Sequence, residues 1–137
     1  MHRPHSILLI EDDHLLGRLY SHLLQESGYQ VRWVTSARTA LKALAGEDTD
    51  LILLDVMLPE MSGVEFIERI PGRASQTVML TNLDHARLKE ELRSKGILGY
   101  IIKSDHTPDS FLGAIAEMIA KTDGQLVRPN RQSSVSL

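Results

Sequence analysis

Apolar blocks and helical stripes alternate along this chain. Ile7-Leu8-Leu9-Ile10 and Leu51-Ile52-Leu53-Leu54 are unbroken apolar runs, the pattern of strands buried on both faces. Thr77 to Leu80, ending at Thr81, and Tyr100 to Ile102, ending at Lys103, predict two further strands. Val31 to Val34 carries polar interruptions, which predicts a strand nearer a sheet edge. Leu15, Leu16, Leu19, Leu23 and Leu24 recur at helical spacing, and Gly28 stands where a C′ glycine would end that helix. Ser36 is placed to cap a second helix whose apolar face is Ala37, Ala40, Leu41 and Leu44. Ser62-Gly63-Val64-Glu65 matches a capping box, with Phe66, Ile67 and Ile70 behind it and Pro71-Gly72 as the stop. Asp84 is the expected cap of a fourth helix reaching about Ser94, with a thin apolar face of Ala86, Leu88 and Leu92. Thr107-Pro108-Asp109 opens a fifth, which buries Phe111, Leu112, Ile115, Met118 and Ile119. Polar residues then dominate. The expected division is a folded domain over 1–122 and a polar tail or linker over 123–137.

Five strands alternating with five helices predict βαβ units and an α/β fold. The expected architecture is a flavodoxin-like, doubly wound, five-stranded parallel sheet of order 2-1-3-4-5 with five helices. Ligands of such sheets bind beyond the carboxyl ends of the strands at the switch point, here between the first and third strands. The first strand runs into Glu11-Asp12-Asp13 and the third into Asp55. Packed side by side, the carboxylates of Glu11, Asp12 and Asp55 repel and raise one another's pKa, which a divalent cation relieves.

Composition narrows the choice of function. The 137 residues suit one domain, and 42% hydrophobic residues suffice for a core. A net charge of −3 with scattered Lys and Arg gives no reason to expect direct binding to nucleic acid or a membrane surface. There is no cysteine, which excludes thiol chemistry and favours a reducing compartment. No apolar run approaches the ~20 residues of a membrane span, and Met1-His2-Arg3-Pro4-His5 leads into a strand without a signal-peptide core. A cytoplasmic protein is expected. The six histidines lack zinc-ligand spacing, and Trp33 reads as packing.

The remaining strand ends supply a hydroxyl, Thr81, and an ammonium, Lys103. Carboxylates, a central aspartate, a hydroxyl and an ammonium together suit a phosphoryl group and Mg²⁺. This set resembles the receiver domain of two-component response regulators, the group that includes the bacterial chemotaxis regulator. The likeness covers roughly residues 5 to 121. It rests on Glu11-Asp12, on Asp55 with Leu58-Pro59 and Gly63, on Thr81, and on Tyr100 with Lys103.

The resemblance implies a role for each position. Asp55 is implied as the phosphoacceptor, charged from a phosphohistidine on a sensor histidine kinase or phosphotransfer protein. Asp12, Asp55 and the backbone carbonyl of Met57 are implied as Mg²⁺ ligands, with Glu11 reaching the ion through water. Thr81 resembles the switch hydroxyl, Tyr100 the aromatic that follows it, and Lys103 the ion-pairing lysine. The fourth helix, fifth strand and fifth helix would form the output face toward a downstream protein or fused effector, with a phosphorylation-linked homodimer as a further option. Such a domain catalyses only its own phosphorylation and dephosphorylation and is not otherwise an enzyme.

Two positions depart from the family pattern. Ser104 stands where a proline in a cis peptide usually follows the lysine, and a trans bond is expected there. Asn82 follows Thr81, where a small residue is usual. Asp13 reads as a loop residue or helix cap, and a buried strand tyrosine is the plain alternative for Tyr100. A Mg²⁺-dependent phosphatase would want an acid where Met57 stands. A nucleotide or flavin module would want Gly, Ser or Thr in the first loop, which is acidic here. A receiver-like module acting by binding alone, without phosphorylation, is the remaining alternative. No DNA-binding or catalytic effector fits after Lys121, which leaves a single-domain regulator or the receiver part of a longer protein.

Overall fold

The computed structural model describes the backbone of residues 3–135 and the side chains of residues 3–124. Its elements alternate as the pattern predicts: β1 (Ser6–Ile10), α1 (His14–Glu26), β2 (Gln30–Val34), α2 (Ala37–Gly46), β3 (Leu51–Leu54), α3 (Gly63–Glu68), β4 (Thr77–Thr81), α4 (Ala86–Ser94), β5 (Gly99–Ile102) and α5 (Pro108–Val135). Short 3₁₀ turns cover Ala74–Gln76 and Lys103–Asp105. All strand pairs are parallel, in the order β2-β1-β3-β4-β5.

Alternation along each strand divides the core in two. Leu8, Ile10, Ile52, Leu54 and Met79 face α2, α3 and α4, through Ala40, Phe66 and Leu92 among others. Ile7, Leu9, Leu53, Leu80 and Ile101 face α1 and α5, through Tyr20, Leu24, Phe111 and Ile115. The β3 residues are fully buried because they lie between two helical layers, whereas β2 alternates at the sheet edge. Gly28 has φ +97°, a left-handed conformation that a side chain would strain, and it ends α1 as expected.

Caps set the helix starts. Asp13, Ser36 and Ser62 each accept from the N–H three residues on, at 2.9, 3.1 and 3.1 Å. Thr107 caps α5 through the Ser110 N–H at 3.1 Å. The cap of α4 is His85 and not Asp84. His85 Nδ1 accepts from the Leu88 N–H at 3.2 Å, and Asp84 instead pairs with Lys89 Nζ at 2.7 Å. Because α4 starts at Ala86, His85 is the residue with extended backbone at the helix mouth. The α5 backbone also runs to Val135, where the polar composition predicts a linker or loose tail. The side chains from 125 onward, and residues 136 and 137, lie outside the described residues.

Candidate functional site

The β1–β3 register pairs Ile10 with Leu54, so the next residues on each strand, Glu11 and Asp55, emerge side by side. Glu11, Asp12 and Asp55 each place a carboxylate oxygen within 4.8 Å of the others. An all-oxygen set of this kind suits a hard divalent cation. Lys103 Nζ reaches into the cluster, 2.6 Å from Glu11 and 3.1 Å from Asp55. Both partners are well shielded, since the Lys103 side chain is 7% exposed and that of Glu11 2%.

Burial governs the charges. It pushes the Glu11 carboxyl above its ordinary range, against the lowering effect of Lys103 and of the Asp13 N–H that donates to Glu11 at 3.1 Å. Burial alone would lower the Lys103 ammonium, but Glu11 and Asp55 outweigh it and hold Lys103 above its ordinary value. Lys103 is therefore a fixed positive charge at neutral pH. Asp12 has no hydrogen bond or ion pair among the described residues. One cation thus faces three acids, and a second positive charge would find a place there.

Asp55 is fixed from its own loop as well. Its Oδ1 accepts the Met57 N–H at 3.0 Å, and Gly63 N–H donates to the Val56 carbonyl at 2.9 Å, folding the loop back on itself. Met57 itself is 65% exposed. Thr81, at the end of β4, is buried, and its Oγ1 accepts the Leu83 N–H at 3.2 Å. Tyr100 lies two register positions away on β5, opposite Met79, where Thr81 pairs with Ile102. Its hydroxyl donates to the Leu83 carbonyl at 2.5 Å, and Lys89 Nζ sits 5.4 Å from its ring centroid. Leu83 is thus the junction between Thr81 and Tyr100.

Trp33 does more than pack. Its indole N–H donates to the Glu11 carbonyl at 2.9 Å, and the ring meets His14 edge-on at 5.8 Å. A β2 side chain therefore holds the acidic turn after β1. Room for the ring is left by Gly17 on α1, where a Cβ would lie 2.1 Å from the indole, a closeness that the sequence alone does not reveal. The Lys103–Ser104 peptide is trans, for no cis peptide occurs among the described residues. Asp13 is the α1 cap and takes no place in the carboxylate cluster.

Residues 7–115 match the family model of the response regulator receiver domain. This chain belongs to that family, a signalling domain of two-component systems. It is 33% identical to the transcriptional regulatory protein PcoR of Escherichia coli over 93% of this chain and 54% of PcoR. It is 31% identical to the transcriptional regulatory protein QseB of Escherichia coli O157:H7 over 96% of this chain and 57% of QseB. The chain thus spans little more than half the length of these relatives. The fold alone is shared with the signal receiver domain of an HD domain-containing protein from Pseudomonas fluorescens Pf-5. That likeness has a TM-score of 0.83 at 23% identity, over 93% of this chain and 96% of that one. Among the described residues no helix is long and apolar enough to cross a membrane.

Proposed function

We propose that this chain is a phosphoaccepting receiver whose acceptor is Asp55. The observation that carries the reading is the Lys103 ammonium, 3.1 Å from Asp55 inside a cluster with Glu11 and Asp12. A bare cation site would have no use for that ammonium. In the reaction a carboxylate oxygen of Asp55 attacks the phosphorus of a phosphohistidine. The P–N bond breaks, the imidazole leaves and takes up a proton, and an acyl phosphate remains. Lys103 neutralises charge on the phosphoryl oxygens, and the Thr81 hydroxyl donates to one of them. Asp12, Asp55 and the Met57 carbonyl would hold Mg²⁺ directly and Glu11 through water. Bound there, the ion would offset the acids and the incoming phosphoryl charge.

The donor would be a sensor histidine kinase or phosphotransfer protein. Among the described residues Leu15 and Leu19 on α1 and Met57 beside Asp55 are the large apolar residues left exposed, which supports docking of a protein near the acceptor. Once phosphorylated, Asp55 would draw Thr81 away from Leu83, release Tyr100, and alter the α4–β5–α5 face toward a downstream target or fused effector. The chain would act in the cytoplasm on phosphoryl groups bound to itself, with residues 1–122 as the receiver unit.

Acetyl phosphate with Mg²⁺ tests this by intact-mass spectrometry. The expected result is a single phosphate adduct that is lost on omission of Mg²⁺ and absent in Asp55→Asn. An adduct that persists in Asp55→Asn refutes the assignment.

A further inference from the structure

Asn82 follows Thr81, and Ser104 follows Lys103, so each departure from the family pattern adjoins a site residue. The two residues meet. The Ser104 N–H donates to Asn82 Oδ1 at 2.8 Å, joining two loops across a separation of 22 residues. A proline at 104 would have no N–H to donate, and an aliphatic side chain at 82 would have no oxygen to accept it. Each substitution alone would leave this bond unmade, so the pair functions only as a pair.

The surrounding bonds give the clasp leverage. Leu83, next to Asn82, is tied to Thr81 and to Tyr100. The turn that begins at Lys103 closes with His106 N–H on the Lys103 carbonyl at 3.3 Å and passes into the Thr107 cap of α5. Movement of Thr81 therefore strains a segment fastened to the turn that carries Lys103. The bond joins a backbone donor to a neutral amide in an exposed position. A phosphoryl charge nearby would not repel it, and water can replace it when the loops part.

We propose that Asn82 is a positioning residue whose clasp on the Ser104 N–H couples the Thr81 loop to the Lys103 turn and the start of α5. The proposal rests on Asp55 as phosphoacceptor, and its test separates the two. The full chain is compared with Asn82→Ala in three backgrounds: Ser104, Ser104→Ala, which keeps the N–H, and Ser104→Pro, which removes it. Two quantities are read: the rate of acetyl phosphate uptake, and the beryllofluoride-induced amide shifts of residues 104–107.

The expected result is an uptake rate lower by about threefold for Asn82→Ala in the Ser104 and Ser104→Ala backgrounds, the size an ordinary net hydrogen bond supplies. In the Ser104→Pro background Asn82→Ala changes nothing further. The shifts at 104–107 shrink in Asn82→Ala while the shift at Thr81 persists. Equal effects of Asn82→Ala in all three backgrounds, or undiminished shifts at 104–107, overturn the clasp and leave the phosphoacceptor reading standing. Absence of any adduct in the unaltered chain overturns both. Should Ser104→Pro fail to fold, the Asn82→Ala shifts alone decide.

Discussion

A single ammonium stands against three carboxylates at the head of this sheet. Lys103 satisfies Glu11 and Asp55, and Asp12 is left to solvent or a cation. Buried pairs of this kind add little net stability, because removing two charges from water costs about as much as their attraction returns. Their arrangement is therefore better explained by chemistry than by folding. The same scale holds the Tyr100 hydroxyl. Burial raises its pKa above the ordinary 10.0, and the carboxylates of Asp84 and Asp55 raise it further. A group raised on folding contributes stability that is complete below its unfolded pKa and lost as pH rises through its folded pKa. The Tyr100 bond to Leu83 should thus survive to pH values above 10.0. Ultraviolet difference titration of the unaltered chain against Tyr100→Phe checks this. The absorbance step that disappears in the variant should have its midpoint above that of free tyrosine, and a midpoint at or below it contradicts the burial argument.

At the scale of elements, α1 can approach β2 only because residue 17 is glycine. A Cβ there would lie 2.1 Å from Trp33 Cε2, with the rigid indole held by its bond to Glu11. Gly17→Ala must therefore push α1 outward or tip the indole from the Glu11 carbonyl. The expected cost is roughly 1–3 kcal/mol, the range for overpacking a core, despite alanine's better helix propensity. Urea denaturation measures it. A variant as stable as the original would mean that the α1–β2 contact yields freely. Trp33→Phe separates the two roles of the ring, since it keeps the bulk and removes the N–H. We expect weaker Mg²⁺ binding by calorimetry as the acidic turn loosens, with the fold intact by circular dichroism.

The whole molecule couples these contacts to its stability. Glu11 and Asp12 follow β1, Asp55 follows β3, and Lys103 follows β5, so the cluster exists only when the sheet is assembled. A cation that binds the folded chain alone stabilises it by mass action, by about 2.7 kcal/mol at one hundred times its dissociation constant. Mg²⁺ should therefore raise the urea midpoint of the unaltered chain. Asp12→Asn should abolish that rise and should itself be more stable without Mg²⁺, because it removes one of three repelling acids. A Mg²⁺ response undiminished in Asp12→Asn would place the ion elsewhere.

The elements and the carboxyl-end residues followed from the sequence because they depend on local information. Unbroken apolar runs, helical stripes, Gly28 and the caps at Ser36, Ser62 and Thr107 act within a few residues, and parallel order follows from the strict βα alternation. With that order settled, Glu11, Asp12, Asp55, Thr81 and Lys103 had to gather at one edge. What the tertiary structure alone decided is which side chains meet across loops. Lys103 spans 92 residues to Glu11, Trp33 reaches the Glu11 carbonyl, Asn82 takes the Ser104 N–H, and His85 displaces Asp84 as a cap. Such contacts depend on loop dihedrals and side-chain reach at a few tenths of an ångström. Hydrophobic periodicity carries no record of either, so the acids of the site were legible one strand at a time, and the bonds between them only in the assembled sheet.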